Sequence, residues 1–274
     1  MTVFTTPEPI TATLTTAGAH VRIAASDRAD TVVRVEPVNR DSKSDVKVAE
    51  QTEIAFTGGE LTIKTNKPGA KNGSVAITLE LPAASRLVLQ TTWTDVHADG
   101  SLGACELDVA SGRVELDRIA ALRGRLSAGD VAVGHVAGTT ELDGGTADVR
   151  LGEVEGTLRC LGSTGKVWIG RARSDVGFTG SSGRFEVGRA DGSVSAEAAN
   201  CPIRIGLLTG GRAELTNASG GIEVGVGEGV AASVDADSTK GTVRNSLPEP
   251  AGEAADRVEI HARTRRDDIV VHPA

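Results

Sequence analysis

A short pattern, apolar-x-apolar behind a small residue, returns about every eighteen residues and constrains this chain more than any other feature. It occurs as Val114-Glu-Leu116, Val131-Ala-Val133, Val149-Arg-Leu151, Val167-Trp-Ile169, Phe185-Glu-Val187, Ile203-Arg-Ile205 and Ile222-Glu-Val224, in steps of 17 to 19 residues. A looser copy, Val243-Arg-Asn245, follows after 21. The flanking columns agree. Gly112, Gly129, Ala147, Gly165, Gly183, Cys201, Gly220 and Gly241 stand two residues before the copies. Asp117, Gly134, Gly152, Gly170, Gly188, Gly206 and Gly225 stand one residue after them. Inside the unit the apolar residues alternate with period two, as in a strand with one buried face.

A second strand fits between copies. Its expected inward positions are Leu107, Leu126, Leu142, Cys160, Phe178, Ala196, Leu215 and Val234. Each turn then holds two short strands and two corners. Stacked turns bury a continuous core that one turn could not bury alone. Composition fits such thin layers: aromatic residues are 2% of the chain, Tyr is absent and Gly numbers 34. Helix is set aside in the repeats, because Gly recurs too often. The expected fold is all-β, a β-solenoid-like stack of ~18-residue two-strand repeats with a β-rich N-terminal cap. An antiparallel meander shares the period, but equal columns in every copy favour the solenoid.

Three regions follow. Residues 1–90 alternate as strands, with a hairpin signal at Phe56-Thr-Gly58-Gly59-Glu-Leu61, and read as the cap. Residues 39–50 and 65–74 are polar and read as loops. Residues 91–245 are the repeat solenoid. Residues 246–274 comprise a loop over 246–256 and two strands, Val258–Ala262 and Ile269–Val271, expected to close the C-terminal edge.

Motifs for chemistry fail one by one. Gly162-Ser-Thr-Gly165-Lys166-Val167 lacks the spacing and the Ser or Thr of a phosphate loop. Gly225-Val-Gly227-Glu-Gly229 has no following helix to hold a pyrophosphate. Asp143-Gly-Gly-Thr-Ala-Asp148 hints at a calcium roll, but the matching slots in other copies hold Arg113, Lys166 and Arg184. Asp95 and His97 read as exposed polar residues on a strand. Cys105, Cys160 and Cys201 are far apart and odd in number, which argues against a disulfide framework. Asn72-Gly-Ser74 and Asn217-Ala-Ser219 match glycosylation acceptors but read as turns. No catalytic residue, cofactor or metal is expected. The net charge of −8 gives no footing for nucleic acid. No apolar run reaches eighteen residues, so no membrane span is expected. The N-terminus has no signal-peptide pattern, and the expected compartment is the cytoplasm.

Both ends and the repeats resemble a known family. Phe4-Thr-Thr-Pro7-Glu8-Pro9-Ile10, Val21-Arg-Ile-Ala-Ala-Ser26-Asp27-Arg28, Ser182-Gly-Arg-Phe-Glu-Val-Gly188 and Val258-Glu-Ile-His-Ala-Arg-Thr-Arg-Arg-Asp-Asp268 are similar to the bacterial β-strand-repeat proteins labelled "putative adhesin". The resemblance spans essentially the whole chain. It implies a domain of unknown function with no catalytic residues to carry over.

One outward column carries chemical variety: Glu115, Ala132, Arg150, Trp168, Glu186, Arg204, Glu223 and Arg244. Its signs alternate from Glu186 onward, which would give a ladder of ion pairs. Trp168 beside Arg150, with Arg171 and Arg189 close by in sequence, forms the candidate partner patch. A cation–π contact that only fixes register is the simpler reading. An anchor for a partner is the functional one. The expected role is a non-enzymatic structural or protein-interaction protein, its partner an unknown protein or another copy of itself. The alternative is a carbohydrate or small-ligand module along the solenoid face.

Overall fold

The structure is a computed structural model, described over residues 1–65, 73–248 and 257–274. It divides into two units, residues 1–137 and 138–274. The first holds β1 (Thr2–Thr5), β2 (Thr11–Ala17), β3 (Ala19–Ser26), β4 (Asp30–Pro37), α1 (Lys43–Glu50), β5 (Glu53–Thr57), β6 (Glu60–Lys64), β7 (Val75–Pro82), β8 (Arg86–Thr92), β9 (Thr94–Val109), β10 (Gly112–Leu126) and β11 (Asp130–Val136). The second holds β12 (Thr140–Gly144), β13 (Asp148–Val154), β14 (Leu158–Ser163), β15 (Lys166–Ala172), β16 (Val176–Gly180), β17 (Arg184–Ala190), β18 (Val194–Ala198), β19 (Ile203–Leu208), β20 (Arg212–Asn217), β21 (Ile222–Val226), β22 (Ala231–Ser238), β23 (Val243–Asn245), β24 (Arg257–Thr264) and β25 (Ile269–Pro273).

Each unit is a β-solenoid-like stack with two ladders; in the second unit each turn gives one strand to each, whereas β9 and β10 of the first run through both. In the second unit one ladder runs β13, β15, β17, β19, β21, all parallel. The other runs β12, β14, β16, β18, β20, also parallel. Parallel pairing settles the choice between solenoid and meander. Val149, Val167, Phe185, Ile203 and Ile222 fall in one registered column, as the period requires, and all are buried.

Glycine lets the turns approach at the bend of each first-ladder strand. A Cβ on Gly188 would lie 2.6 Å from the Gly170 carbonyl oxygen, so the corner closes only with hydrogen there.

The second column is looser. Leu142, Cys160, Phe178, Ala196 and Leu215 register with one another. In the first unit Leu107 faces Gly124, and Leu126 faces Val109, so the two leucines are not partners. A bulge between Leu116 and Arg118 shifts the register there. Val234 is not the partner of Leu215; Ala262 takes that place, and Val234 lies beyond Ile260.

The last strands correct a second expectation. They do not form the edge. β24 lies between β20 and β22, and β25 lies between β21 and β23. The final turn is intercalated, and the turn before it, β22–β23, is outermost. The start of the chain does the same: β2 lies between β6 and β8, and β3 between β7 and β9. Beyond them the first unit ends in antiparallel pairs, β5 on β6 and β1 on β4 on β7. The rings of Phe4 and Phe56 meet across this end at 4.9 Å.

Residues 43–50, expected as part of a loop, form α1. Ser42 caps it by accepting from the Asp45 N–H, and Asp45 accepts the N–H of Asn39 at 3.0 Å and of Ser74 at 3.2 Å. The Ser42 hydroxyl bond, with those from Asn39 and Ser74, holds the Asp45 carboxyl below its usual range despite burial. The loop expected over 65–74 and that over 246–256 lie mostly outside the described residues, as does Asn72.

Candidate interaction surface

The outward residues between the buried columns of the first ladder stack in register: Arg150, Trp168, Glu186, Arg204 and Glu223. The period-two geometry of β13 and β15 puts Arg150 and Trp168 on the same outer face, one turn apart. The Arg150 guanidinium carbon lies 5.9 Å from the Trp168 ring centre, a cation–π geometry. Trp168 remains 37% exposed. Gly170 makes room for the indole, since a Cβ there would stand 3.0 Å from the ring.

Beyond Trp168 the row is neutralised. Arg204 reaches Glu186 at 3.4 Å and Glu223 at 3.2 Å, the alternating ladder expected from the sequence. It stops at Glu223. The intercalated β25 places Val270 next, ahead of Arg244, and His272 reaches Glu223 at 3.3 Å. Arg244 instead lies 3.7 Å from Asp268.

Arg171 and Arg189 are brought together by an acid that the repeat pattern does not single out. Arg171 Nε donates to Asp191 at 2.9 Å, Arg189 Nε at 2.7 Å and the Thr209 hydroxyl at 2.9 Å. Burial pushes the Asp191 carboxyl up, but bonds from Arg189, Arg171 and Thr209 more than offset it and leave its pKa at about 2. Arg173 donates to Glu153 at 2.6 Å. The four residues of the candidate patch therefore form two pairs: Arg150 on Trp168, and Arg171 with Arg189 around Asp191. The missed signal is a spacing of twenty residues, which joins both Glu153 to Arg173 and Arg171 to Asp191.

Trp93 is a second feature that column reasoning passed over. It is 69% exposed and has φ of +49°. It occupies the corner between β8 and β9, where the neighbouring corner, between β2 and β3, carries Gly18 at φ +68°. A bulky side chain in the left-handed region is a strained exception. The Ser111 hydroxyl accepts its N–H at 3.1 Å. Nearby, His97 pairs with Asp99 at 3.1 Å and Glu115 at 3.2 Å, while Asp95 pairs with His20 at 3.5 Å.

On the outer face of the second ladder, Gly177 and Ser195 interrupt the row between Arg159 and Glu214, leaving a shallow depression of about 400 Å³. Elsewhere, burial pushes the Cys105 and Cys160 thiols up to about 12 and raises that of Cys201. Among the described residues no group of three His, Cys, Asp or Glu is placed to hold a metal ion. No helix of the described residues is long and apolar enough to cross a membrane.

No protein-family model matches the chain, and no curated protein does. Among solved structures it is similar to a "putative adhesin" from Parabacteroides merdae, with TM-score 0.45 and 10% identity, covering 100% of this chain and 95% of that one. A "putative adhesin" from Bacteroides fragilis matches with TM-score 0.31 and 10% identity, over 99% and 95%. A "putative cell adhesion protein" from Clostridium sporogenes matches with TM-score 0.20 and 9% identity, over 100% and 98%. Two of these three structures carry the adhesin label.

Proposed function

We propose that this chain is a non-enzymatic β-repeat protein whose task is to hold a protein partner. The observation that carries the reading is Trp168, exposed between Arg150, which stacks on it, and the mutually paired charges of Glu186, Arg204 and Glu223. Arg and Trp are frequent anchors of interfaces, because a rigid ring and a planar cation bury much area for little lost freedom. The Arg171–Asp191–Arg189 cluster borders that anchor, and its two guanidiniums share one carboxylate, which leaves the border net positive. The thiols support a non-catalytic reading. A nucleophilic cysteine needs a lowered pKa, and burial moves these the other way.

The test is affinity capture from source cells with the wild-type chain and with Trp168→Ala, each checked for folding. A partner held by the first and lost by the second supports the reading. An unchanged set of partners removes it.

A second reading, a carbohydrate or small-ligand module, draws on the depression at Gly177 and Ser195, where Arg159 and Glu214 offer a donor and an acceptor at its two sides. A glycan panel without hits would dispose of it.

A further inference from the structure

The outermost turn of the second unit is built differently from the turn it covers. The inward side chains of the intercalated turn, Val258, Ile260, Ala262, Ile269 and Val271, are all 0% exposed. Those of the turn outside it, Ala232, Val234 and Ala236 on β22, are only half-buried, and Val243 on β23 is 40% exposed. Among the described residues β22 pairs with β24 alone and β23 with β25 alone. Among the described residues, then, one edge of each strand has no strand beside it, over a partly open core. Such an edge is a template for another strand. The first unit contrasts with this. Its ladders end in the antiparallel strands β1 and β5, with the Phe4–Phe56 contact across them.

We propose that β22 is a pairing edge for a second copy of this chain, joined edge to edge about a two-fold axis through Val234. The self-complementary pattern of the strand is what selects this occupant. In antiparallel pairing, residues directly opposite point to the same face. With Val234 opposite its own copy, Ala232 falls opposite Ala236 of the other chain, so the inward row is wholly apolar. On the outer face Ser233 falls opposite Asp235, and Ala231 opposite Asp237. No carboxylate meets a carboxylate. A centre one residue later sets Asp235 against Asp235, and like charges directly opposite are unfavourable. A centre one residue earlier leaves only Ala231–Asp235 to pair, against Ala231–Asp237 for the favoured register. Asp235 lies 2.6 Å from Arg263 of its own chain, whose bond keeps the carboxyl below its usual range and so ionised. A shared patch closing on itself is the usual geometry of a dimer. The surface is separate from the Trp168 face, so either inference can fail without the other.

Opposite residues of an antiparallel pair have Cα atoms about 4.5–5.5 Å apart, within disulfide range. The test is Val234→Cys in the full chain, oxidised by air with copper-phenanthroline and run without reductant. The native thiols are buried and stay out of the reaction. A disulfide-linked dimer is expected from Val234→Cys, and a cross-link is expected when Ala232→Cys is mixed with Ala236→Cys. Ser233→Cys, which faces Asp235 of the other copy, is expected to cross-link at least about ten-fold more slowly. Sedimentation equilibrium is expected to show a monomer–dimer equilibrium, weakened at least about ten-fold by Val234→Lys with the melting curve retained. The proposal is overturned if the wild-type chain stays monomeric at millimolar concentration, or if Val234→Cys forms no linked dimer on oxidation. It is also overturned if Ser233→Cys links as fast as Val234→Cys, or if a dimer persists unchanged in a folded Val234→Lys.

Discussion

Phe178 and Phe185 stack with ring centres 4.2 Å apart and planes 13° from parallel. One ring comes from β16 in the second ladder and the other from β17 in the first, so the two ladders meet ring on ring. Both rings are almost wholly buried. Either residue replaced by Ala should cost about 3–5 kcal/mol, through lost burial and the cavity left behind. The double variant should cost less than the sum, because each ring is the other's neighbour. Urea denaturation of the three variants measures this, and additivity would mean that the stack contributes nothing of its own.

Asp191 makes stability depend on acid. Its folded pKa of about 2 lies below the ordinary carboxylate value of 3.8. A depressed pKa means that the contribution is fully present above the unfolded value and is lost as pH falls from about 4 towards 2. The shift corresponds to about 1–2 kcal/mol after allowing for partial solvent access. Asp191→Asn should therefore lower stability at pH 7 and flatten the acid limb of the stability curve between pH 4 and 2. A parallel displacement of the whole curve would show that the ion pairs with Arg171 and Arg189 contribute nothing.

Trp93→Gly should stabilise the fold by about 1 kcal/mol, because Gly occupies a positive φ at little cost and Trp does not. Exposed Trp93 gives up little packing when removed. A lower denaturation midpoint for Trp93→Gly would show that the indole makes contacts worth more than its strain.

Gly188→Ala should destabilise by about 1–3 kcal/mol, because the new methyl would be driven into the Gly170 carbonyl. Gly59→Ala is the matched control. Its φ is +81° but nothing lies within 4 Å of a Cβ there, so its cost is conformational alone and should be smaller. Equal midpoints for the two would remove the argument from close approach.

The repeats were legible because identical neighbours make identical demands. Val167 is apolar and buried for the same reason as Val149 below it and Phe185 above it. The ends were not legible, because Ile222 can accept any alternating apolar strand as its neighbour. It pairs with Ile269 and not with Val243, although Val243 comes sooner in the chain. Alternation fixes which face a residue takes and leaves open which strand it meets. Helix α1 escaped because it is one short excursion among strands, yet Ser42-Lys-Ser-Asp45 carries a cap in plain sight. In the candidate patch, the Trp168–Arg150 contact followed from register, whereas Asp191 joins its arginines on a diagonal that column reading does not follow.

The intercalated final turn also bears on how such an array could lengthen over generations. A duplicated unit appended after Pro273 would find both ladder neighbours of that turn already taken, β21 on one side and β23 on the other. A copy inserted around β16 or β17 would meet neighbours that already accept its pattern on either side. Inheritance of extra turns is thus favoured in the interior, with both woven ends passed on unchanged, much as cloth is extended between its selvedges.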